Sequence, residues 1–185
     1  MNTLLKKQRT ALKNQSGFTL IEMLIVVIVL GILAMIIVPQ ISVSTDDARL
    51  STLQTNLGSL RSAIELYFHQ HGAYPGAKKT DGTSVDTANA AEASTAFVDQ
   101  LTKYTEASGK ADGDSTALTA PVYGPYLKTT TLPTNPFNVK DGVTCDITTT
   151  DVTTRTAVPG DGTAWKFYVK TGVLIANDNT AHQGY

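Results

Sequence analysis

An almost unbroken apolar run from Phe18 to Val38 is the strongest pattern in the sequence. Its 21 residues match the roughly 20 that an α-helix needs to cross a hydrocarbon core about 30 Å thick. The residues before it include no acid and four basic side chains, Lys6, Lys7, Arg9 and Lys13. Because basic flanks stay in the cytoplasm, the pattern predicts a single membrane span with residues 1–17 cytoplasmic and the rest on the opposite side.

A second, amphipathic pattern follows Pro39 and predicts that the same helix continues to residue 70. Apolar side chains recur there at alternating spacings of three and four, the period of one helical face. They are Leu50, Leu53, Leu57, Leu60, Ile64 and Tyr67, and we call them the apolar stripe. From Phe18 to His69 the helix should be about 80 Å long. Pro39 is expected to kink or locally unwind it, because proline removes a backbone donor.

Residues 71–185 predict one small globular head. "HGAYPG" at residues 71–76 supplies the glycine and proline that end a helix. A short helix is expected near residues 91–106, with Phe97, Leu101 and Tyr104 on one face. "WKFYV", "KTG" and "VLIAN" together predict a β-hairpin. The expected fold class is α+β: a lollipop whose long N-terminal helix spans the membrane in its first half and packs in its second half on a small antiparallel sheet.

A loop punctuated by prolines, "GPYLKTTTLPTNPFN", crosses between the predicted helix and the predicted strands. Four of its apolar side chains are expected to seal the head against the long helix: Tyr126, Leu127, Leu132 and Phe137. The second half of the apolar stripe should therefore be covered by the protein's own head. Residues 40–55 have no predicted head beneath them and are expected to pack on other chains.

Glu22 is the one carboxylate inside the apolar run. At a bilayer centre such a charge costs at least about 2.5 kcal/mol, so it indicates a function. A secretory signal is disfavoured, because the run is long, contains Glu22 and lacks an Ala-x-Ala-like cleavage site. A plain signal anchor fits the run but assigns Glu22 no role. Near the end of the span, Glu22 could also snorkel to the headgroups.

The stretch "KNQSGFTLIEMLIVVIVLGILAMIIVPQ" resembles the class III prepilin signal of type IV pilins and type II secretion pseudopilins. The resemblance covers residues 13–75 and is specific at its start, where Gly-Phe-Thr-Leu-x-Glu lies between a basic leader and an apolar span. "GAYP" after the long helix resembles the GxYP form of the major, G-type pseudopilins. A glycine-tyrosine-proline turn is common, which makes this second likeness less specific.

The resemblance implies a site set around the first helical turn. A prepilin peptidase would cut between Gly17 and Phe18, and the new Phe18 amine would be methylated. Glu22 matches the family's carboxylate, and Pro39 matches the proline one span-length into the mature helix. A buried charge is tolerated when it is paired, so Glu22 is expected to bring in another subunit whose Phe18 amine neutralises it.

Composition narrows the remaining function classes. The formal charge is −1, and loss of the four basic leader residues leaves −5, which predicts no nucleic-acid footprint. The single cysteine, Cys145, cannot form an intrachain disulfide. Many type IV pilins carry such a disulfide, so this departure weakens an interpretation as a true pilin.

Candidate chemistry is sparse. No combination of nucleophile, base and orienting group and no phosphate-binding loop is present, which predicts a protein that is not an enzyme. His69 and His71 should diverge on a helix, which argues against a metal pair. "DGDST" from Asp112 and "NDN" at 177–179 offer oxygen ligands without EF-hand spacing. G-type pseudopilins bind calcium, but their ligands do not align here, so no cofactor is predicted beyond a calcium ion as a candidate.

The sequence thus predicts a structural filament subunit, most like the major pseudopilin of a type II secretion system. Its domains would be a cleaved leader (1–17), a transmembrane half-helix (18–38), an amphipathic half-helix (39–70) and a periplasmic head (71–185). Its expected partners are the prepilin peptidase, copies of itself, minor pseudopilins, and the assembly platform of the bacterial inner membrane. Two alternatives stay open: a type IV pilin for adhesion, motility or DNA uptake, and a signal-anchored periplasmic binding module.

Overall fold

The structure is a computed structural model that describes residues 17–85 and 89–185, with only the backbone described at 37–44. The fold is α+β, as predicted, with a long N-terminal helix, α1 (Leu20–His71), and a head that contains a small antiparallel sheet. The chain divides into two compact units between Thr45 and Asp46. Most of the predicted leader, residues 1–16, lies outside the described residues.

Helix α1 continues through residue 39, so the helix does not end at the predicted kink. The Pro39 side chain lies outside the described part of the chain. Within the described part of the chain, no helix has both the length and the hydropathy that a membrane span requires. The predicted spanning half at 18–38 stays a prediction.

The second unit, residues 46–185, contains the hydrophobic core. Five members of the apolar stripe are buried there, Leu53, Leu57, Leu60, Ile64 and Tyr67, and Leu50 packs against them half-buried. They meet a cluster from the head that includes Phe97, Leu101, Trp165, Phe167 and Leu174. The predicted contact between the stripe and the head is confirmed, but it begins earlier than predicted, because Leu53 is buried although residues 40–55 were expected to have no head beneath them. The seals are also confirmed: Leu132 is buried, and Tyr126, Leu127 and Phe137 pack on the cluster.

Helix α1 ends as the sequence predicts. His71 is its last residue, and Gly72 follows with a φ of +67° while its N–H bonds to the Phe68 carbonyl at 2.8 Å. A left-handed residue that returns a hydrogen bond to the last turn is the usual glycine-dependent end of a helix. The turn redirects the chain towards the "AYPG" segment that begins the head.

The second helix, α2 (Ala90–Thr102), is shorter than the predicted range of 91–106. Lys103 is extended, and Tyr104 begins the strand β1 (Tyr104–Glu106) instead of extending the predicted apolar face. The Leu101 carbonyl accepts from the N–H groups of Tyr126 and Leu127 at 3.0 and 2.8 Å, so the crossing loop replaces the next helical turn. The N–H groups that take the Leu101 carbonyl belong to residues distant in the sequence, so no local sequence pattern predicts this helix end.

Two three-stranded sheets complete the head. The first is antiparallel, in the order β2 (Ala111–Asp112), β1, β3 (Val122–Tyr123). The second has the order β4 (Val143–Asp146), β5 (Trp165–Tyr168), β6 (Val173–Ala176). The predicted hairpin is confirmed, because β5 and β6 are antiparallel and Phe167 lies opposite Leu174.

The pairing of β4 with β5 is parallel, with Val143 opposite Trp165, so this sheet is mixed. Parallel neighbours need a crossover connection, usually a helix. Here residues 147–164 supply it with a single short 3₁₀ turn, Val152–Thr154. The sequence did not predict this pairing.

Cys145 lies on β4 and is a free, buried thiol. Burial raises the pKa of this thiol to about 12. Its side chain packs in the core, and its backbone N–H donates to Ser94 Oγ on α2 at 2.9 Å, which joins the sheet to the helix.

Candidate assembly site

Three of the predicted processing and assembly residues, Gly17, Phe18 and Glu22, lie at the N-terminus of α1, whereas Pro39 lies within the helix. Residues 17–19 are non-helical, and Thr19 caps the helix that begins at Leu20. Glu22 Oε2 accepts hydrogen bonds from the Thr19 N–H at 2.8 Å and from Thr19 Oγ1 at 2.6 Å. The Glu22 N–H donates in return to Thr19 Oγ1 at 3.3 Å. These reciprocal bonds form a capping box, which satisfies backbone donors that the first helical turn leaves free.

The capping box corrects one premise of the sequence interpretation, which treated Glu22 as unpaired within a single chain. The Glu22 carboxylate instead accepts hydrogen bonds from Thr19 at the N-terminus of its own helix. The signal was present in the sequence, since Thr-x-x-Glu before an apolar run is the capping-box pattern.

Gly17 has no role in the described fold. A Cβ atom added there would meet no heavy atom of the described residues within 4 Å. Close packing among the described residues therefore does not require glycine at this position.

The residues around the capping box expose a continuous apolar surface. The large apolar side chains from Phe18 to Ile36 are between 46% and 86% exposed. Soluble monomers rarely expose contiguous apolar patches larger than a few hundred Å², and larger patches mark association or membrane sites. The surface is suited to packing against other apolar partners along the helix.

Tyr74, from the "GAYP" segment, links the end of α1 to the predicted hairpin. Its ring stacks on Phe68 with centroids 4.4 Å apart and meets Phe167 edge-on at 6.3 Å. The same ring covers Gly172, the turn residue before β6, which has a φ of +72°. The segment that resembles the G-type signature therefore has a structural role, because Tyr74 covers the turn of the hairpin.

The two histidines at the end of α1 diverge as predicted. His69 is exposed, whereas the half-buried His71 ring stacks on Tyr67 with centroids 4.0 Å apart. His71 Nδ1 lies 3.1 Å from the Tyr67 carbonyl. Burial lowers the pKa of His71 despite its bond to Tyr67, so the neutral ring is favoured.

This arrangement makes the stability of the head depend on pH. The unfolded chain binds a proton at His71 at a higher pH than the folded chain, so acidification below about pH 6.5 should destabilise the fold. We expect the melting temperature to fall when the pH is lowered from 7.5 to 5.5. The fall should be smaller in His71→Phe than in the natural sequence. An equal fall in both proteins would contradict the assignment to His71.

The predicted oxygen-rich loops use their carboxylates internally. Asp112 and Asp114 accept from backbone N–H groups two residues ahead, both at 2.9 Å. In the "NDN" segment, Asp178 accepts from Asn135 at 2.7 Å and contacts His182, while Asn177 accepts from the Val158 N–H at 2.7 Å. Among the described residues, no group of three or more His, Cys, Asp or Glu side chains could hold a metal ion.

Comparison with known proteins locates the likeness at this end of the chain. Residues 12–38 match the family described as the prokaryotic N-terminal methylation motif. Type II secretion system core protein G of Pseudomonas aeruginosa is 40% identical over 63 residues, which cover 34% of this chain and 44% of that relative. The same-named protein of Vibrio cholerae is 34% identical over 64 residues, covering 35% and 44%.

A fimbrial protein of Neisseria meningitidis is 34% identical over 73 residues, covering 40% of this chain and 43% of the relative. The match therefore spans less than half the length of these curated relatives. No solved structure matches the chain. Over the first third of the chain, the resemblance to the pilin and pseudopilin family, and to its G-type secretion members, is confirmed.

Proposed function

We propose that this protein is a structural subunit of a pilus-like filament, and more specifically the major pseudopilin of a type II protein secretion system. The observation that carries the proposal is the match of residues 12–38 to the N-terminal methylation motif. Within it, Gly17, Phe18 and Glu22 stand in the order that the resemblance requires. The relatives named core protein G support the secretion assignment.

The proposed life cycle has two stages. The precursor is held in the bacterial inner membrane by the apolar run, with its N-terminus in the cytoplasm and its head in the periplasm. This anchoring is proposed from the sequence pattern. A prepilin peptidase then cuts after Gly17, Phe18 is methylated, and an inner-membrane platform adds the subunit to a filament that also contains minor pseudopilins.

Within the filament, Glu22 would meet the Phe18 amine of an adjacent subunit in an apolar surrounding. Breaking such a buried pair is strongly unfavourable, so the pairing would favour an ordered, repeated contact between copies. Pro39 is proposed to let α1 adjust its local geometry during this step. The proposal includes no cofactor and no catalytic residue.

A second candidate function is a type IV pilin. The observation that favours it is the likeness to a fimbrial protein over 73 residues. The free, buried Cys145 argues against a disulfide-clamped pilin head. Deleting this protein's gene separates the two: loss of secreted enzymes with normal motility and adhesion indicates a pseudopilin, and the converse indicates a pilin.

Processing gives the sharpest test of the family assignment. A bulky residue at Gly17 should obstruct the scissile bond, whereas the fold leaves room for it. We expect Gly17→Val to accumulate in cells as the full-length precursor, with no loss of stability in the head. Mass spectrometry of the mature N-terminus provides the measurement.

The natural sequence should begin at methylated Phe18 in cells with an active prepilin peptidase. Natural protein that still begins at Met1 in such cells would support the signal-anchored binding module instead.

A further inference from the structure

The strands β5 and β6 carry a second apolar cluster on the face that the main core does not use. Side chains on a strand alternate between the two faces of a sheet. Phe167 and Leu174 accordingly belong to the main core. Tyr168 and Ile175 lie on the other face, where they form a separate cluster with Ala157, from the connection between β4 and β5. This cluster has no part in the assembly site at the start of α1.

Residues 151–160 of that connection, which we call the strap, lie over the second cluster. The sequence of the strap is "DVTTRTAVPG", and every residue in it is exposed except Ala157. Ala157 is 3% exposed, and Tyr168 and Ile175 beneath the strap are no more exposed than that. A single side chain of the strap is therefore buried against the sheet. Few buried apolar contacts are typical of segments that open locally.

Side chains of the sheet and of the segment after it hold the strap in place. The three consecutive N–H groups at 156–158 donate in turn to Tyr168 Oη, Gln183 Oε1 and Asn177 Oδ1, at 2.7, 2.9 and 2.7 Å. The Tyr168 hydroxyl also donates to the Thr156 carbonyl at 3.1 Å. Tyr168 thus satisfies both backbone groups of one strap residue, besides lying beneath the strap with its ring.

Strand pairing does not add to these bonds. Lys166 Nζ donates to the Thr156 carbonyl at 3.1 Å, which is again a bond from a side chain. Among the described residues, no hydrogen bond between backbone groups joins the strap to a strand or helix, and those that involve it close local turns. Bonds of this kind can break when the strap moves, while the ladder between β5 and β6 stays intact.

We propose that the strap is a cover that opens as one unit while the core of the head stays folded, and that the Tyr168 hydroxyl is the latch that keeps it closed. Opening replaces a largely polar outer surface of the head with the apolar side chains of Tyr168, Val173 and Ile175. The head then has two states of one face. The inference concerns the head alone and does not depend on the proposed filament function.

Hydrogen exchange of the full chain in detergent micelles, resolved to single amides, tests the cover. In the natural protein, the amides at 156–158 should share one protection factor, lower than that of the core residue Val169, whose N–H donates to the Asp146 carbonyl at 2.9 Å. Tyr168→Phe keeps the ring and removes the hydroxyl, so exchange at all three amides should become about tenfold faster, with Val169 unchanged.

Two further variants separate a cooperative cover from independent bonds. Gln183→Ala removes the acceptor of the Ala157 amide alone, yet opening as one unit requires that exchange at 156 and 158 also become faster by a similar factor. Tyr104→Phe is the matched control, because it removes a tyrosine hydroxyl from β1, in the other sheet. It should leave exchange in the strap unchanged.

Faster exchange confined to the amide whose acceptor was removed would show that single bonds fray, and would overturn the cover. Acceleration of Val169 by the same factor would assign the change to the whole head, with the same consequence. Unchanged exchange at 156–158 in Tyr168→Phe would overturn the assignment of the latch.

Discussion

Replacing Glu22 with alanine is expected to abolish filament formation while leaving cleavage after Gly17 intact. The variant removes the carboxylate proposed to neutralise the Phe18 amine of an adjacent subunit. Loss of one partner from a buried pair costs about 3 to 5 kcal/mol, which exceeds a hundredfold effect at each contact. Filaments can be sheared from cells and quantified after processing and membrane level have been confirmed.

The capping box makes a control necessary, because Glu22→Ala also removes the bonds between Glu22 and Thr19. Thr19→Ala removes the cap and retains the carboxylate. Loss of a cap costs about 0.5 to 2 kcal/mol, so this variant should assemble at a reduced but measurable level. Equal loss in both variants would assign Glu22 to helix capping, and normal filaments in Glu22→Ala would favour the snorkelling alternative.

Gly172→Ala is expected to destabilise the head strongly. A Cβ atom at Gly172 would penetrate the ring of Tyr74 and lie 2.6 Å from its hydroxyl oxygen. The φ of +72° adds backbone strain for any residue with a side chain. Overpacking and strain each typically cost about 1 to 3 kcal/mol, so we expect a combined loss of about 2 to 6 kcal/mol in the free energy of unfolding.

Gly58→Ala provides a control with the opposite expected sign. Gly58 lies inside α1, and a Cβ atom there would meet no heavy atom within 4 Å. Alanine in a helix interior is favoured over glycine by about 0.5 to 1 kcal/mol, so this variant should unfold at a slightly higher denaturant concentration. A Gly172→Ala protein as stable as the natural one would show that Tyr74 moves aside freely.

The sequence predicted those parts of the fold that repeat with a clear period. The apolar stripe from Leu53 to Tyr67 has the period of a helix, and the hairpin of β5 and β6 has a glycine turn between two apolar runs. The strands β1, β2 and β3 have only two or three residues each. Such short strands form because they pair with backbone groups that are distant in the sequence, so no local sequence pattern predicts them.

The candidate site, like the fold, was predicted only in part. The cost of a charge within an apolar run singled out Glu22, but its bonds to Thr19 were missed because the Thr-x-x-Glu spacing was not considered as a capping box.

The buried thiol of Cys145 has a practical consequence for studying this protein in cells. A maleimide reagent reacts with the thiolate, and a pKa of about 12 together with burial leaves almost no thiolate accessible in the folded head. Labelling must then wait for the head to open, so the labelling rate reports the population of opened molecules. Because Cys145 is the chain's one cysteine, the labelling rate of the natural sequence measures opening of the head without an engineered cysteine.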